Sequence, residues 1–301
     1  MADLTGYMIG RYHVVTRLGT GGMATVYKAH DTRLARYVAM KFIRTDVIQD
    51  ETFVKRFDRE AKALAKLSHP NIVSILDYGD YEGTPYLVME YITGGSLKEH
   101  MGKPIPWPEA LKIILPIANA LEYTHQHNII HRDVKPANFL ISESGEPLLA
   151  DFGIAKIVRM ESTQITGKGG LGTPAYMAPE QGMGQPADPR TDVYSLGVVL
   201  YELITGRTPY IAPSTVAILY KHISEPLPSP RNFVPDLPIE IERILTRSME
   251  KKPDNRYQTM ADFSAAMERM LRTAATHPNI ILPEEKKPST PQPPITPVEP
   301  L

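Results

Sequence analysis

His131-Arg132-Asp133-Val134-Lys135-Pro136-Ala137-Asn138, with Asp151-Phe152-Gly153 beginning thirteen residues after Asn138, decides the reading of this 301-residue chain. A carboxylate, an ammonium and an amide fall within one short loop, and a second carboxylate follows on a glycine turn. A carboxylate can orient a hydroxyl and take its proton, an ammonium can meet a phosphoryl group, and two hard oxygen donors suit magnesium. A single match of this length carries little weight alone. Its weight comes from upstream segments that supply the other parts in the order phosphoryl chemistry needs.

The first of these is Leu18-Gly19-Thr20-Gly21-Gly22-Met23-Ala24-Thr25-Val26. Glycines let a backbone close over phosphates with its N–H groups aimed at oxygens. Ala24 occupies the place of the third glycine in G-x-G-x-x-G, and Gly22 is an extra one. Read alone, the segment suits a flexible hairpin as well as a phosphate cradle. A Rossmann reading fails, because a strand rather than a helix follows.

The second is Lys41 in Val38-Ala39-Met40-Lys41-Phe42-Ile43, where a period of two puts Ala39, Lys41 and Ile43 on one face. Phe53, Phe57, Glu60, Leu64 and Leu67 then recur at helical spacing. Glu60 falls within that apolar stripe, where an unpaired carboxylate is costly. Lys41 is the expected partner; the alternative is Glu60 turned to the edge of its stripe.

Around these segments the pattern divides in two. Tyr12 to Leu18, Thr25 to His30, Tyr37 to Ile43, Ile72 to Tyr78 and Tyr86 to Glu90 read as strands, with a helix from about Glu51 to Leu67 between them. After Gly94-Gly95 the pattern is helical. One helix opens at Pro108 and runs towards His127, with a kink expected at Pro116. Val193 to Ile204 is apolar nearly all round and reads as a buried helix. Stretches around Ser214 to Ile223, Pro238 to Met249 and Met260 to Thr273 follow. The class is α+β: a small antiparallel β-sheet lobe with one main helix, joined to a larger, mainly helical lobe.

The boundaries expected are an extension over 1–10, a folded unit over 11–277 divided near residue 92, and a tail over 278–301. Seven of the nineteen residues from Pro283 to Leu301 are proline, so the tail cannot bury a core. A formal net charge of −1 argues against a general nucleic-acid or membrane-surface binder. With no cysteine, disulfides and thiolate metal sites are excluded. Met1 to Gly10 lacks the order of a secretory signal, and the longest apolar run is too short to span a bilayer. A cytoplasmic location is expected.

These parts together resemble a eukaryotic-like serine/threonine protein kinase of the bacterial sort, over about Arg11 to Thr273. Gly-Gly-Met-Ala after the first glycines and Val-Lys-Pro-Ala-Asn in the loop carry the bacterial likeness. The resemblance implies a bilobal protein-kinase fold using ATP and Mg²⁺, with Mn²⁺ as a substitute. Leu18, Gly19, Thr20, Gly21, Gly22, Met23 and Ala24 would cover the phosphates and Lys41 would meet the α- and β-phosphates. Val26, Ala39 and Leu140 would pack on the adenine, Met89 would stand behind it, and backbone groups of Glu90 and Ile92 would bond its edge. Asp133 would orient the substrate hydroxyl, Lys135 would meet the γ-phosphate, and Asn138 with Asp151 would hold the metal. Thr173 would contact Asp133. Asp192 would anchor the catalytic loop, Glu180 would pair with Arg256, and His131 would pack with Phe152, Leu64 and Ile75.

Between Asp151 and Glu180 runs a long polar segment containing Ser162, Thr163, Thr166 and Thr173, and activation by autophosphorylation between two molecules is expected at Thr163 and Thr166, with Arg132 and Lys156 as cations for the phosphate. The resemblance further implies dimerisation through the small lobe, and in similar bacterial kinases a proline-rich stretch leads to a membrane span. Ala137 stands where some kinases carry a glutamate for a target arginine, so no strong arginine preference is expected. Protein serine and threonine are the expected targets. A pseudokinase scaffold is the competing reading, opposed by the retention of Lys41, Asp133 and Asp151. A small-molecule phosphotransferase would lack the long segment closed by Ala178-Pro179-Glu180.

Overall fold

The computed structural model describes residues 3–44, 51–152 and 174–276. Six strands form one antiparallel sheet: β1 (Met8–Ile9), β2 (Tyr12–Thr20), β3 (Ala24–Asp31), β4 (Arg36–Ile43), β5 (Ile75–Tyr81) and β6 (Thr84–Glu90), in the order β1-β2-β3-β4-β6-β5. Alternation gives the sheet two faces. Tyr27, Ala29, Val38, Met40, Phe42 and Val88 bury together on one side. On the other side Ile43 and Leu87 join Phe53, Phe57 and Leu64 of α1 (Glu51–Leu64), in a core that continues into the large lobe.

Two boundaries differ from the sequence pattern for a tertiary reason. Ile72 bridges Leu149 rather than joining β5, and Val73 N donates to Leu149 O at 2.9 Å. The segment before β5 is thus recruited by the large lobe. Helix α1 stops at Leu64, and Leu67 N closes a turn on Leu64 O instead.

The large lobe is built on α4 (Pro189–Thr205), in which every residue from Thr191 to Thr205 is buried. Asp188 caps its start by accepting from Arg190 N at 2.8 Å, and Pro189 supplies a fixed φ in the first turn. Gly206 ends it at φ 73°, where a Cβ would also stand 2.7 Å from Pro104 Cδ. Around it lie α2 (Trp107–Gln126), the single turn α3 (Pro179–Gly182), α5 (Thr215–Ser224), α6 (Ile239–Ser248) and α7 (Met260–Thr276). Ala110, Ile114, Ile117, Ala118 and Leu121 recur at helical spacing on the buried face of α2. Each large apolar side chain so buried contributes about 1.5–3 kcal/mol. Pro116 lies inside α2, which runs through it as one segment. A two-stranded ribbon, β7 (Phe139–Ile141) with β8 (Pro147–Leu149), frames the loop that ends at Asn138. None of the described helices is long and apolar enough to cross a membrane.

Candidate active site

Asp192, in the first turn of buried α4, organises the loop. Its Oδ2 accepts from His131 N at 2.9 Å and its Oδ1 from Arg132 N at 2.9 Å. His125 Nε2 approaches Oδ2 at 2.8 Å. These donors satisfy a fully buried carboxylate that would otherwise be costly to bury. They also hold Arg132 at φ 62°, a left-handed conformation that costs a non-glycine residue of order 1–3 kcal/mol.

Three predicted residues are brought together immediately downstream. Lys135 Nζ donates to Asp133 Oδ2 at 2.8 Å, and Asn138 Nδ2 donates to Asp133 O at 2.7 Å and to Oδ2 at 3.2 Å. Asn138 therefore spends its amide hydrogens on Asp133, leaving its carbonyl oxygen as a hard donor for a cation. Ala150 N donates to Asn138 O at 2.8 Å, which ties the loop to the approach of Asp151. Asp151 has φ 59°, a second left-handed residue at the site.

His131 is fully buried with its ring centroid 4.9 Å from that of Phe152. Nε2 lies 3.0 Å from Ala150 O, and Nδ1 accepts from Asp133 N at 3.3 Å. That pattern assigns a neutral ring with the proton on Nε2. Burial lowers its pKa, outweighing the nearby carboxylates. His131 is packing and scaffold.

The sheet-borne pair corrects the sequence reading. Lys41 Nζ lies 2.8 Å from Asp151 Oδ1 and is not paired with Glu60. Glu60 accepts instead from its neighbour Arg59, at 2.9 Å from Nη2 and 3.2 Å from Nε. The helical stripe places Glu60 on the inner side of α1, with its side chain 18% exposed. Periodicity, however, is blind to how closely the helix docks on the sheet. Here an adjacent guanidinium satisfies the carboxylate, and the lysine takes the carboxylate across the cleft. Lys41, Leu64, Ile75, Leu87, Met89, Asp151 and Phe152 line one cavity behind the cleft.

The other expected positions fall around the cleft. β2 and β3 meet in a tight hairpin, where Gly21 N donates to Ala24 O at 2.8 Å; Leu18, Gly19, Thr20 and Gly22 are exposed and Met23 is half-buried. Val26 and Ala39 stand on the cleft face of the sheet. Met89, Ile92 and Leu140 pack together against Val73, Leu148 and Ala150. Glu90 N is taken by Ser74 O at 3.0 Å, and Ile92 N has no hydrogen-bond partner among the described residues. Thr163, Thr166, Thr173, Gly153 and Lys156 lie outside the described residues.

The protein kinase domain model matches residues 12–273. The chain belongs to the protein kinase family. The kinase is 43% identical over 272 residues to serine/threonine-protein kinase PknB of Mycolicibacterium smegmatis, an alignment covering 88% of this chain and 43% of that protein. It is 43% identical over 259 residues to serine/threonine-protein kinase PrkC of Bacillus subtilis, covering 85% and 40%. The crystal structure of the Mycobacterium tuberculosis PknI kinase domain superposes with a TM-score of 0.72 at 30% identity, covering 89% of this chain and 98% of that one. The chain spans about 40% of the length of these curated relatives. Kinases of this family use ATP and a divalent metal ion. The Asp151 carboxylate and the side-chain oxygen of Asn138, which has no hydrogen-bond partner among the described residues, are the class of hard oxygen donor that suits such an ion.

Away from the cleft, Arg256 meets Glu180 through two 2.8 Å bonds, Nη1 to Oε1 and Nη2 to Oε2. Its remaining hydrogens go to Glu250 O, Arg190 O and Lys251 O, so all five guanidinium N–H groups of this buried arginine are used. Burial alone would raise the Glu180 pKa, but the Arg256 bonds and charge outweigh it and the net shift is downward. Sequence reading missed Gln181, whose Nε2 donates to Arg132 O at 3.0 Å and so joins α3 to the catalytic loop. It also missed Glu202, which receives both Tyr176 and Lys98. A glutamate inside the apolar run of α4 was the available signal.

Proposed function

We propose that this chain transfers the γ-phosphoryl group of Mg-ATP to serine and threonine hydroxyls of proteins. The observation that carries the reading is the Asp192-anchored loop, in which Asp133, Lys135 and Asn138 lie within hydrogen-bond reach of one another. Asp133 orients the acceptor hydroxyl and takes its proton. Lys135, already beside that carboxylate, is placed to meet the transferring group. Asn138 and Asp151 hold the cation, which when bound neutralises phosphate charge. Lys41 exchanges Asp151 for phosphate oxygens, with Glu60 turning in to hold it. Catalysis of this kind is mostly positioning and charge stabilisation. Lys135 two places after Asp133 supports serine and threonine over tyrosine, by likeness to the family.

The test is phosphate transfer from ATP to protein serine or threonine, comparing wild type with Asp133→Asn. The substitution is expected to cost at least ~10²-fold in rate; wild-type turnover would end the reading. Mg²⁺ is expected to support more transfer than Mn²⁺, checked by titrating each. Thr163 and Thr166 are proposed as autophosphorylation sites acting between two molecules; phosphatase treatment should lower activity, and unchanged turnover would remove them. We also propose dimerisation through the small lobe, where Tyr7, Met8 and Leu34 are exposed. Sedimentation of Leu34→Asp would test it. A cytoplasmic location is proposed for the domain from its proposed use of ATP, which fractionation would check.

A further inference from the structure

Strand β3 directs Tyr27, Ala29 and Asp31 into the interior, and Val26, Lys28 and His30 to the opposite face. In register with these stand Lys41, Ala39 and Tyr37 of β4, and directly paired residues share a face. Lys41 reaches Asp151, so this is the face over the cleft. Same-face positions on a strand are roughly 7 Å apart, which puts Lys28 one pleat beyond Val26 towards the linker between the lobes.

The Lys28 ammonium has aromatic partners there. Nζ lies 4.0 Å from the centroid of the Tyr37 ring, at the start of β4, and 4.6 Å from that of Tyr91, in the linker. Tyr37 is braced by His30, edge to face with centroids 5.5 Å apart. Tyr91 lies between Glu90 and Ile92, whose backbone groups are assigned above to the adenine edge. One cation therefore joins the roof of the cleft to its hinge, at the lip of the slot where the base enters.

We infer that Lys28, held between Tyr37 and Tyr91, is a positioning residue that clamps the sheet to the linker and sets the affinity for ATP; this rests on the nucleotide reading above. The clamp keeps the slot at one height, so binding need not first select that state from a looser ensemble. Asp133, Lys135 and Asn138 sit in the other lobe, and Lys41 engages the phosphates once ATP is bound, so the clamp acts on binding and turnover at saturating ATP should change little.

The experiment is calorimetric titration of a nonhydrolysable ATP analogue with Mg²⁺ into the 301-residue chain, beside steady-state kcat and KM. Lys28→Met keeps the stem and removes the charge. It is expected to raise Kd and KM for ATP roughly 3–10-fold, with kcat within about twofold. Lys28→Arg should restore affinity. Lys28→Met combined with Tyr91→Leu should be no weaker than the weaker single variant, because both remove one contact. Unchanged affinity in Lys28→Met, or a fall in kcat with KM constant, would overturn the clamp. Ile92→Pro removes the linker N–H assigned to adenine. Binding lost there but unaltered in Lys28→Met would defeat the clamp alone. Binding unaltered in a folded Ile92→Pro, checked by circular dichroism, would defeat the adenine reading beneath it.

Discussion

Asp192→Asn should separate the stability of this domain from its activity, and both effects can be worked from the geometry. Oδ2 serves His131 N and His125 Nε2, while Oδ1 serves Arg132 N alone. An asparagine does best by keeping its single oxygen towards the first two donors. Its NH₂ then faces the Arg132 N–H, and donor meets donor. The loss is one hydrogen bond to a charged acceptor, about 1.5–3 kcal/mol, plus an unsatisfied buried donor at about 1–3 kcal/mol. A destabilisation of about 3–5 kcal/mol follows, readable as a lower urea midpoint at unchanged slope. The functional cost is separate. Arg132 sits at φ 62°, and without its tether it relaxes and carries Asp133 with it. A displacement of about 1 Å at a reacting group costs on the order of 10²-fold. Turnover measured well below the new urea midpoint, on protein that is still folded, should fall by that factor. Wild-type stability with wild-type turnover would refute the reasoning; lost stability with intact turnover would refute the link from anchor to catalysis.

Arg256→Met leaves the Glu180 carboxylate buried without its cation, with Thr191 Oγ1 at 2.8 Å as its remaining side-chain donor among the described residues, and should cost about 3–5 kcal/mol. Glu180→Leu with Arg256→Met removes both charges and should recover most of that in urea unfolding; a single variant as stable as wild type would contradict the pairing. Arg59→Gln releases Glu60 from an ion pair whose arginine is 65% exposed. Such a pair contributes at most ~1 kcal/mol, so basal turnover of dephosphorylated protein should rise up to about fivefold, and a fall would count against the exchange. Acid should destabilise the fold through its buried histidines. Burial lowers the pKa of His222 to about 4 and that of His131 in the same direction, so below pH ~6.5 the unfolded chain binds more protons than the folded one. Stability should therefore fall as pH drops from ~6.5 towards 4, and His222→Gln should flatten that slope in pH-dependent melting.

Much of this was legible along the chain because it depends on near neighbours. The period of two in Val38 to Ile43, the all-round apolarity of Val193 to Ile204 and the turn chemistry at Gly94-Gly95 are set within a few residues. The catalytic loop is equally local in its composition: Asp133, Lys135 and Asn138 fall within five positions of one another, although the turn that brings them into hydrogen-bond reach is anchored from outside by Asp192. Proline in α2 also has a local meaning at Pro108. At Pro116 the helix continues as one segment, against the local cost of a proline in its interior.

What spacing could not supply were partners chosen across the fold. Periodicity assigned Glu60 to the inner face of α1. Whether it meets Lys41 depends on the approach of that helix to the sheet, and an adjacent Arg59 was close enough to win. Lys28, Tyr37 and Tyr91 come from three separate segments and have no pattern to announce them. The chemistry of this kinase was written in short stretches, since side-chain identity and backbone periodicity are local properties. The pairing of its charges was decided only in three dimensions, because an ion chooses the nearest opposite charge in space, whatever its place in the chain.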